Sequence, residues 1–311
     1  MAWRMCGYQG MHKNRQNSGI ARQTTPVYYV CVMQTNVARR HGLTNTPEAS
    51  AEGQLRISGV VICLNEAERI ADCLQSMGPV VDEIVLLDSG STDDTARRAE
   101  ALGARVVQRA FDTFSAQKNA GIKEATHPWI LSIDADERLS PTLQAAILAW
   151  RGQHDPSSPC ALRMNRRNHL GTQAIRHGSW WPDRKIRLFH RDAAVWGPAH
   201  PHEELILRDA TPILDLQGEL LHLTADSSST LKLKSDRYAR LWAEQRRAHQ
   251  YIAPFWKPVL SAAFRWLRDY LFKAGFLDGR AGWEIAKIDA FYTYSKYKRT
   301  HKRHHNNSQF R

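Results

Sequence analysis

The sequence has few cysteines and no long apolar run. Its five cysteines are an odd number without a Cys-X-X-Cys pair, which argues against a disulfide framework and a zinc site. No apolar stretch approaches the ~20 residues that a membrane-spanning helix needs, and the first ten residues lack the features of a secretory signal. We therefore expect a cytoplasmic protein, in which Cys63 lies in an apolar strand as a buried thiol.

The sequence also has fewer acidic than basic residues. There are 31 Asp and Glu against 43 Lys and Arg, which gives a formal net charge of +12. Such a balance predicts an anionic partner, which could be nucleic acid, an acidic membrane surface or an acidic substrate. A dinucleotide oxidoreductase is disfavoured because no Gly-X-Gly-X-X-Gly follows the first predicted strand.

The pattern of residues divides the chain into four parts. Residues 1–54 show little periodicity and predict a poorly ordered extension. Residues 55–228 alternate apolar strands with helices, residues 229–300 are helical, basic and rich in aromatic side chains, and residues 301–311 form a polar tail. We expect an α/β domain followed by a mostly helical region.

Four apolar runs in the second part predict strands, separated by helices. The runs are Ile57–Leu64, Val80–Asp88, Ala104–Val107 and His127–Asp134. This alternation indicates βαβ units and a parallel sheet, and ligands of such sheets bind beyond the carboxyl ends of the strands.

Asp134 and Asp136 follow the fourth predicted strand directly. Two carboxylates one residue apart at a strand end are suited to a hard divalent cation that grips a diphosphate. The alternative is an acidic turn that caps the next helix.

Two more polar clusters follow predicted strands. Asp88, Ser89 and Gly90 follow the second strand, where a carboxylate is suited to a nucleotide base or ribose; the alternative is a plain strand-to-helix turn. Asn65 and Glu66 follow the first strand, either as a nucleotide contact or as the N-cap and first-turn acid of a helix.

Three further groups are candidates for the chemistry of the site. Lys118 is either a surface lysine or a contact to a pyrophosphate. His202 and Glu203 lie in a dense titratable cluster, which is either a solvated turn or the source of a general base. His222 is either a core histidine or a metal ligand.

The aromatic and basic stretch from Phe255 to Tyr297 has apolar residues at near-helical spacing. It predicts either a packed helix with a solvated basic face or a surface that meets anionic lipid. The residues alone favour neither.

Together these motifs resemble glycosyltransferase family 2, and more narrowly the bacterial enzymes that add glucose to the inner core of lipopolysaccharide. The resemblance runs from about Ile57 to about Tyr297. It is carried by the motifs Val61–Glu66, Asp88–Asp93, Gln117–Asn119, Trp129–Glu137, Arg187–Phe189, His202–Glu203 and Gly275–Gly279. The pair His200-Pro201 before His202 departs from the pattern of the family. It leaves open whether Glu203 or Glu204 is the general base that the resemblance implies.

The resemblance implies a GT-A type, Rossmann-like domain that binds a UDP-sugar. Asn65, Glu66 and Asp88 would lie against the nucleotide. Asp134 and Asp136 would hold the ribose and Mg2+ or Mn2+, with Asp136 as the more direct ligand.

It also implies the remaining roles and the substrates. Glu203 would be the general base, and His222 would complete the metal or diphosphate contacts. The acceptor would be a lipid-linked saccharide of the lipopolysaccharide core, met at the inner face of the cytoplasmic membrane. A polyprenyl-phosphate acceptor is the alternative within the enzyme class. A basic nucleic-acid-binding module is the alternative from another class, and it leaves the carboxylate clusters unexplained.

Overall fold

The computed structural model describes residues 55–197 and 204–301 of the chain. The strands in these ranges are β1 (Ile57–Cys63), β2 (Glu83–Asp88), β3 (Arg105–Gln108), β4 (Trp129–Asp134), β5 (Glu137–Leu139), β6 (Ala161–Leu170), β7 (Gln173–Ala174), β8 (Arg184–His190), β9 (Ala194–Gly197), β10 (Glu204–Leu207) and β11 (Ile213–Ala225). The α-helices are α1 (Ile70–Met77), α2 (Thr95–Ala101), α3 (Phe114–Glu124), α4 (Pro141–Arg151), α5 (Ser228–Ala248), α6 (Lys257–Leu267) and α7 (Gly279–Lys298). Shorter helical turns are Gly178–Trp180, Arg268–Phe272, Gly275–Asp278 and Arg299–His301.

A mixed sheet forms the core of the α/β part and confirms the predicted fold class. Its strands run in the order β3-β2-β1-β4-β8-β6-β11-β5, and β7 pairs with β6. Strands β3, β2, β1 and β4 are mutually parallel, whereas β8 runs antiparallel to β4 and β6. β1 is apolar and almost wholly buried along its length, as expected for a strand covered by helices on both faces.

The first four predicted strands are present, with shifted ends. β2 begins at Glu83 and β4 at Trp129, later than the apolar runs alone predict. The expected N-cap role of Asn65 is wrong, because α1 begins only at Ile70 and Asn65 adopts the left-handed region with φ of 55°. The intervening residues form a turn in which the amide of Arg69 donates to the carbonyl of Glu66.

The main hydrophobic cluster lies between the sheet and helices α1 and α4. It includes Ile57, Leu74, Trp129, Leu143 and Ile147, all buried. The predicted burial of Cys63 is confirmed, and Cys73 and Cys160 are likewise buried free thiols.

The chain becomes helical at Ser228, as the sequence predicts. Helices α5 and α6 each pack on α7, and a smaller cluster that includes Ile175, Ala225 and Ile285 joins α7 to the sheet region. Within the part of the chain that the structure describes, no helix is long and apolar enough to cross a membrane.

Candidate active site

The polar clusters predicted at strand ends lie at one edge of the sheet. β1 pairs in parallel with β2 on one side and with β4 on the other, so that Cys63 is opposite Asp88 and Ile62 is opposite Asp134. The register therefore places the turns after Cys63, Asp88 and Asp134 side by side. This is the edge at which ligands bind in open α/β sheets.

Asp134 lies between two cationic side chains. Its Oδ1 is 2.8 Å from Nζ of Lys118, and its Oδ2 is 2.9 Å from Nη2 of Arg187. Burial alone would raise the pKa of Asp134, but the charges of Lys118 and Arg187 outweigh burial and hold this pKa well below its ordinary value. The carboxylate is thus kept ionised and oriented.

Lys118 is fully buried, which contradicts its alternative reading as a surface lysine. Its ammonium lies 4.4 Å from the ring centroid of Trp196, a cation–π contact. Asn119 fixes Trp196 in turn, since its side chain accepts from the Trp196 amide at 3.1 Å and donates to the Trp196 carbonyl at 2.7 Å. Helix α3 and strand β9 therefore hold Lys118 against Asp134. Its predicted contact to a pyrophosphate stays a prediction.

Glu137 links the ion pairs beneath Asp134. This carboxylate is fully buried and accepts from Nη2 of Arg187 at 2.6 Å and from Nη1 of Arg166 at 3.1 Å. It also accepts from the backbone amide of Asp134 at 3.1 Å. A buried carboxylate with two guanidinium partners and an amide is well satisfied, so Glu137 stabilises the turn that presents Asp134 and Asp136.

Asp136 faces His222, which lies on β11. Oδ2 of Asp136 is 3.4 Å from Nε2 of His222. On the other side of the imidazole, Nδ1 lies 2.6 Å from Oδ1 of Asn168. Both side chains of the Asp136–His222 pair are partly exposed. His222 thus lies beside Asp136, and its predicted role as a metal ligand stays a prediction.

The Asn168 amide has a fixed orientation. Its Nδ2 donates to the carbonyl of Trp180 at 3.1 Å and to the Asp183 carboxylate at 3.2 Å, and both of these partners only accept. Its Oδ1 therefore faces His222 and accepts the Nδ1 proton. In the neutral imidazole this leaves the lone pair of Nε2 on the side of Asp136, as in a metal-ligating histidine with a second hydrogen-bond partner.

The donor set of Asp136 and His222 fits a divalent cation. A carboxylate oxygen and an imidazole nitrogen both ligate Mn2+, and a hard cation commonly completes its coordination with phosphate oxygens and water. Asp134 instead turns its carboxylate to Lys118 and Arg187. Among the residues that the structure describes, no three His, Cys, Asp or Glu side chains converge as a preformed metal site.

Asp88 is enclosed by protein groups. It is 1% exposed, and its carboxylate accepts from the amide of Ser91 at 3.0 Å and from Nε2 of Gln108 at 2.7 Å. Ser89 accepts from Nε2 of Gln117 at 3.0 Å, and Gly90 is exposed with φ of 92°. Ser89 and Gly90 thus remain at the surface of the site, while Asp88 organises the turn beneath them.

Asn65 and Glu66 border the same edge. Oδ1 of Asn65 accepts from the Thr92 amide at 2.8 Å, which ties the turns after β1 and β2 together. Glu66 pairs with Arg69 at 3.0 Å, and Arg69 also binds Asp226 at 2.7 Å. Burial raises the pKa of Glu66, and Arg69 offsets this only in part.

The predicted base lies outside the described residues, as do His202 and the pair His200-Pro201. The ribbon that flanks this segment is described: Gly197 of β9 is paired with Glu204 of β10. The Gly197 carbonyl accepts from Oγ of Ser115 at 2.6 Å, on the helix that carries Lys118. Glu204, the alternative to Glu203, is exposed in the first position of β10.

The domain that carries this site matches a known protein family. The sequence profile described as "Glycosyl transferase family 2" matches residues 58–211. The chain contains a family 2 glycosyltransferase domain. The resemblance inferred from the motifs is confirmed, and the α/β sheet with its strand-end site is a GT-A-type fold.

The chain also has individual relatives. The lipopolysaccharide core biosynthesis glycosyltransferase LpsC of Rhizobium meliloti (strain 1021) is 26% identical over 256 residues, which cover 81% of this chain and 94% of LpsC. An uncharacterized glycosyltransferase of Rickettsia felis is 45% identical over 92 residues, 30% of this chain and 32% of that protein. The chain therefore spans nearly all of LpsC but only about a third of the Rickettsia protein.

A solved structure matches part of the chain. It is glucosyl-3-phosphoglycerate synthase from Mycobacterium tuberculosis in complex with Mn2+, UDP and glucosyl-3-phosphoglycerate, at 27% identity and a TM-score of 0.32. The match covers 36% of this chain and 44% of that chain.

Four residues that shape the site have no role predicted from the sequence. They are Glu137, Asn168, Arg187 and Trp196, each buried. A signal was present for two of them, because Asn168 and Arg187 are polar residues inside strands whose neighbours are apolar or strongly basic. Their partners in the site, however, which are Asp134 and Glu137 for Arg187 and His222 for Asn168, lie 50 or more residues away, and no local pattern in the sequence identifies them.

Proposed function

We propose that the chain transfers a sugar from a UDP-sugar to a saccharide of the lipopolysaccharide core, with inversion at the anomeric carbon. Glucose is the sugar that we propose. The observation that carries the proposal is the pairing of Asp136 with His222 at 3.4 Å, beside Asp134 held by two cations. A site with this charge pattern suits a diphosphate that binds together with a divalent cation.

The donor would lie across the turns at the carboxyl edge of the sheet. Asn65, Glu66, Ser89 and Gly90 border the nucleotide side, with Asp88 bracing the turn from beneath. Asp134 would meet the ribose with its carboxylate already ionised and oriented. Since its partners are Lys118 and Arg187, it brings little net negative charge to a diphosphate.

Asp136 and His222 would hold Mg2+ or Mn2+ next to the diphosphate. The cation would neutralise the charge that develops on the departing UDP. In the neutral imidazole, Asn168 would leave the lone pair of Nε2 directed to that position, because its oxygen takes the Nδ1 proton.

In the transfer step the acceptor hydroxyl oxygen forms a bond to the anomeric carbon while the bond from that carbon to the diphosphate oxygen breaks. The hydroxyl proton passes to the carboxylate of Glu203, and UDP leaves with the bonding electron pair. A single displacement of this kind inverts the configuration. In the sequence, the Glu203 segment lies between β9 and β10, and the Gly197 carbonyl of β9 is bonded to Ser115 on the helix that holds Lys118.

The acceptor class is supported by the relative LpsC, whose name states lipopolysaccharide core biosynthesis and which aligns with 81% of this chain. The net charge of +12 suits an acceptor that carries phosphates and acidic sugars. A lipid-linked acceptor would be met at a membrane surface.

The test measures binding and transfer by the purified full chain across UDP-, GDP- and CMP-sugars, with Mn2+ and with chelator. We expect metal-dependent binding of one UDP-sugar, followed by transfer to delipidated lipopolysaccharide core, detected by mass spectrometry. Asp136→Ala is expected to abolish transfer even with Mn2+ present. Asp215→Ala, which removes an exposed carboxylate paired with Arg163 at 2.7 Å, is the matched control and should transfer normally.

Two outcomes would contradict the proposal. A folded sample that binds no nucleotide sugar would remove the donor assignment, and transfer by Asp136→Ala with chelator present would remove the metal assignment. A base-labile product on polyprenyl phosphate, formed in preference to any core saccharide, would replace the acceptor and leave the donor site intact.

A further inference from the structure

Helix α6 packs on α7 through both aromatic and charged side chains, including Trp266, whose ring centroid lies 5.6 Å from that of Trp283. Arg265 on α6 pairs with Asp269 one turn later and, at 2.9 Å, with Asp289 on α7. Asp289 also accepts from Oγ of Ser179 at 2.7 Å. An ordinary surface helix keeps its charged side chains in solvent, whereas Arg265 of α6 is directed toward the protein.

The apolar side of α6 faces solvent. Trp256, Leu260 and Phe264 are spaced four residues apart and are exposed, and Val259 lies between them on the same side. Further exposed apolar side chains come before and after the helix. We call the complete set the apolar surface; it consists of Ile252, Phe255, Trp256, Val259, Leu260, Phe264, Leu271, Phe272, Phe276 and Leu277.

The charges around the apolar surface are of one sign. Residues 251–280 contain five Lys and Arg and two acids, Asp269 and Asp278. Both acids are buried, whereas Lys273 and Arg280 are exposed. The exposed charge of this segment is therefore cationic.

We propose that the apolar surface inserts into the headgroup region of an anionic phospholipid bilayer. Ten large apolar side chains exposed within 26 residues exceed the scattered apolar residues of an ordinary surface and indicate a binding face. A helix with an outward apolar side and flanking cations fits a membrane interface, where acyl chains take the apolar groups and lipid phosphates attract the cations. Trp256 is suited to the same depth because its ring is apolar with a polar N–H.

The same segment is tied to the candidate active site. The Asp278 carboxylate accepts from the backbone amides of Arg176 and His177 at 3.1 and 2.8 Å. These residues precede the turn whose Trp180 carbonyl holds Asn168. Membrane contact would therefore bring the site to the bilayer surface. The contact goes beyond the proposed transfer reaction and does not depend on it.

The experiment is flotation of the full chain with vesicles, without donor or acceptor. One vesicle type is phosphatidylcholine alone, and the other contains phosphatidylglycerol as well. We expect binding to the anionic vesicles that weakens on phosphatidylcholine and with rising salt. The double variant Phe255→Ser/Phe264→Ser removes two side chains that are 86% and 60% exposed, and it should lower vesicle partitioning roughly tenfold or more.

Two further variants separate the apolar contribution from the charge and from general surface effects. Lys273→Glu/Arg280→Glu should lose the preference for anionic vesicles. Leu102→Ser/Leu148→Ser removes two exposed leucines, one at the end of α2 and the other on α4. This variant should bind vesicles as the unmodified chain does. Circular dichroism and thermal unfolding of each variant check that the fold is retained.

The proposal is overturned if the unmodified chain floats with neither vesicle type, or if Phe255→Ser/Phe264→Ser floats unchanged. It is also overturned if the chain is a dimer by light scattering without lipid, and the same double variant makes it monomeric while flotation is unaffected; the apolar surface would then be a contact between two copies. Each of these results leaves the sugar-transfer proposal intact, because donor binding is measured separately.

Discussion

Oδ1 of Asn168 lies 2.6 Å from Nδ1 of His222, and the two residues are directly paired on the neighbouring strands β6 and β11. The contact sets the tautomer of the imidazole whose Nε2 faces Asp136 at 3.4 Å. Asn168 is thus a positioning residue for the proposed metal ligand His222.

We predict that Asn168→Leu lowers the affinity for Mn2+ in the presence of UDP by about 10- to 100-fold, because the ring loses the partner that orients it. Electron paramagnetic resonance of free Mn2+ measures this without turnover. Asn165→Leu, three residues earlier on the same strand, should bind Mn2+ normally. Unchanged Mn2+ affinity in Asn168→Leu would show that Asn168 has only a structural role.

Lys118→Met is predicted to destabilise the fold and to impair donor binding. The ammonium is fully buried against Asp134 and Trp196, and removing it leaves that carboxylate with Arg187 as its cationic partner. We expect a loss of about 3 kcal/mol in the free energy of unfolding, from chemical denaturation. Lys123→Met removes an exposed lysine from the same helix and should change this free energy by less than about 0.5 kcal/mol. Equal effects of both substitutions would contradict the assigned ion pair.

The ion pairs of Asp134 should stabilise the fold down to unusually low pH. Its pKa is held below the ordinary 3.8 despite burial, by Lys118 and Arg187. A depressed pKa gives stability that is present above 3.8 and is lost as pH falls through the lower, folded-state value. The stability difference between the unmodified chain and Asp134→Asn should therefore stay constant from pH 7 to about pH 4 and shrink below that. A difference that already declines between pH 6 and pH 5 would argue against this pairing.

Glu66→Gln is predicted to stabilise the fold while weakening donor binding. Burial raises the pKa of Glu66 above its ordinary 4.5, so the ionised side chain is disfavoured in the folded state. Stability is then lost as pH rises from 4.5 through the folded-state pKa, and the neutral amide avoids this loss. Differential scanning calorimetry should find a higher Tm for Glu66→Gln at pH 7 and equal Tm values near pH 4.

A gain in stability together with a loss of donor affinity would mark Glu66 as a functional residue kept at the expense of stability. Isothermal titration of the UDP-sugar supplies the second measurement. A lower Tm at pH 7 would mean that the ion pair with Arg69 outweighs burial, which would contradict the raised pKa of Glu66.

Much of the α/β half follows from local sequence. The buried runs of β1, β2 and β4 are long enough to be recognised, and each ends in a polar turn, which is sufficient to place Asn65, Asp88 and Asp134 at one edge of a parallel sheet. The ends of the elements are less well predicted. Asn65 resembles a helix cap, but its left-handed backbone at φ of 55° belongs to a turn that contacts Thr92 on the next loop.

The sequence by itself determined the family, the strand-end carboxylates and the amphipathic character of α6, because each is written in residues close together in the chain. Only the tertiary structure decided which partner each carboxylate has: Arg187 for Asp134 and His222 for Asp136, across 53 and 86 positions of sequence. It also decided that α6 turns its apolar side outward, since periodicity shows that a helix has an apolar side and the packing against α7 determines what that side faces.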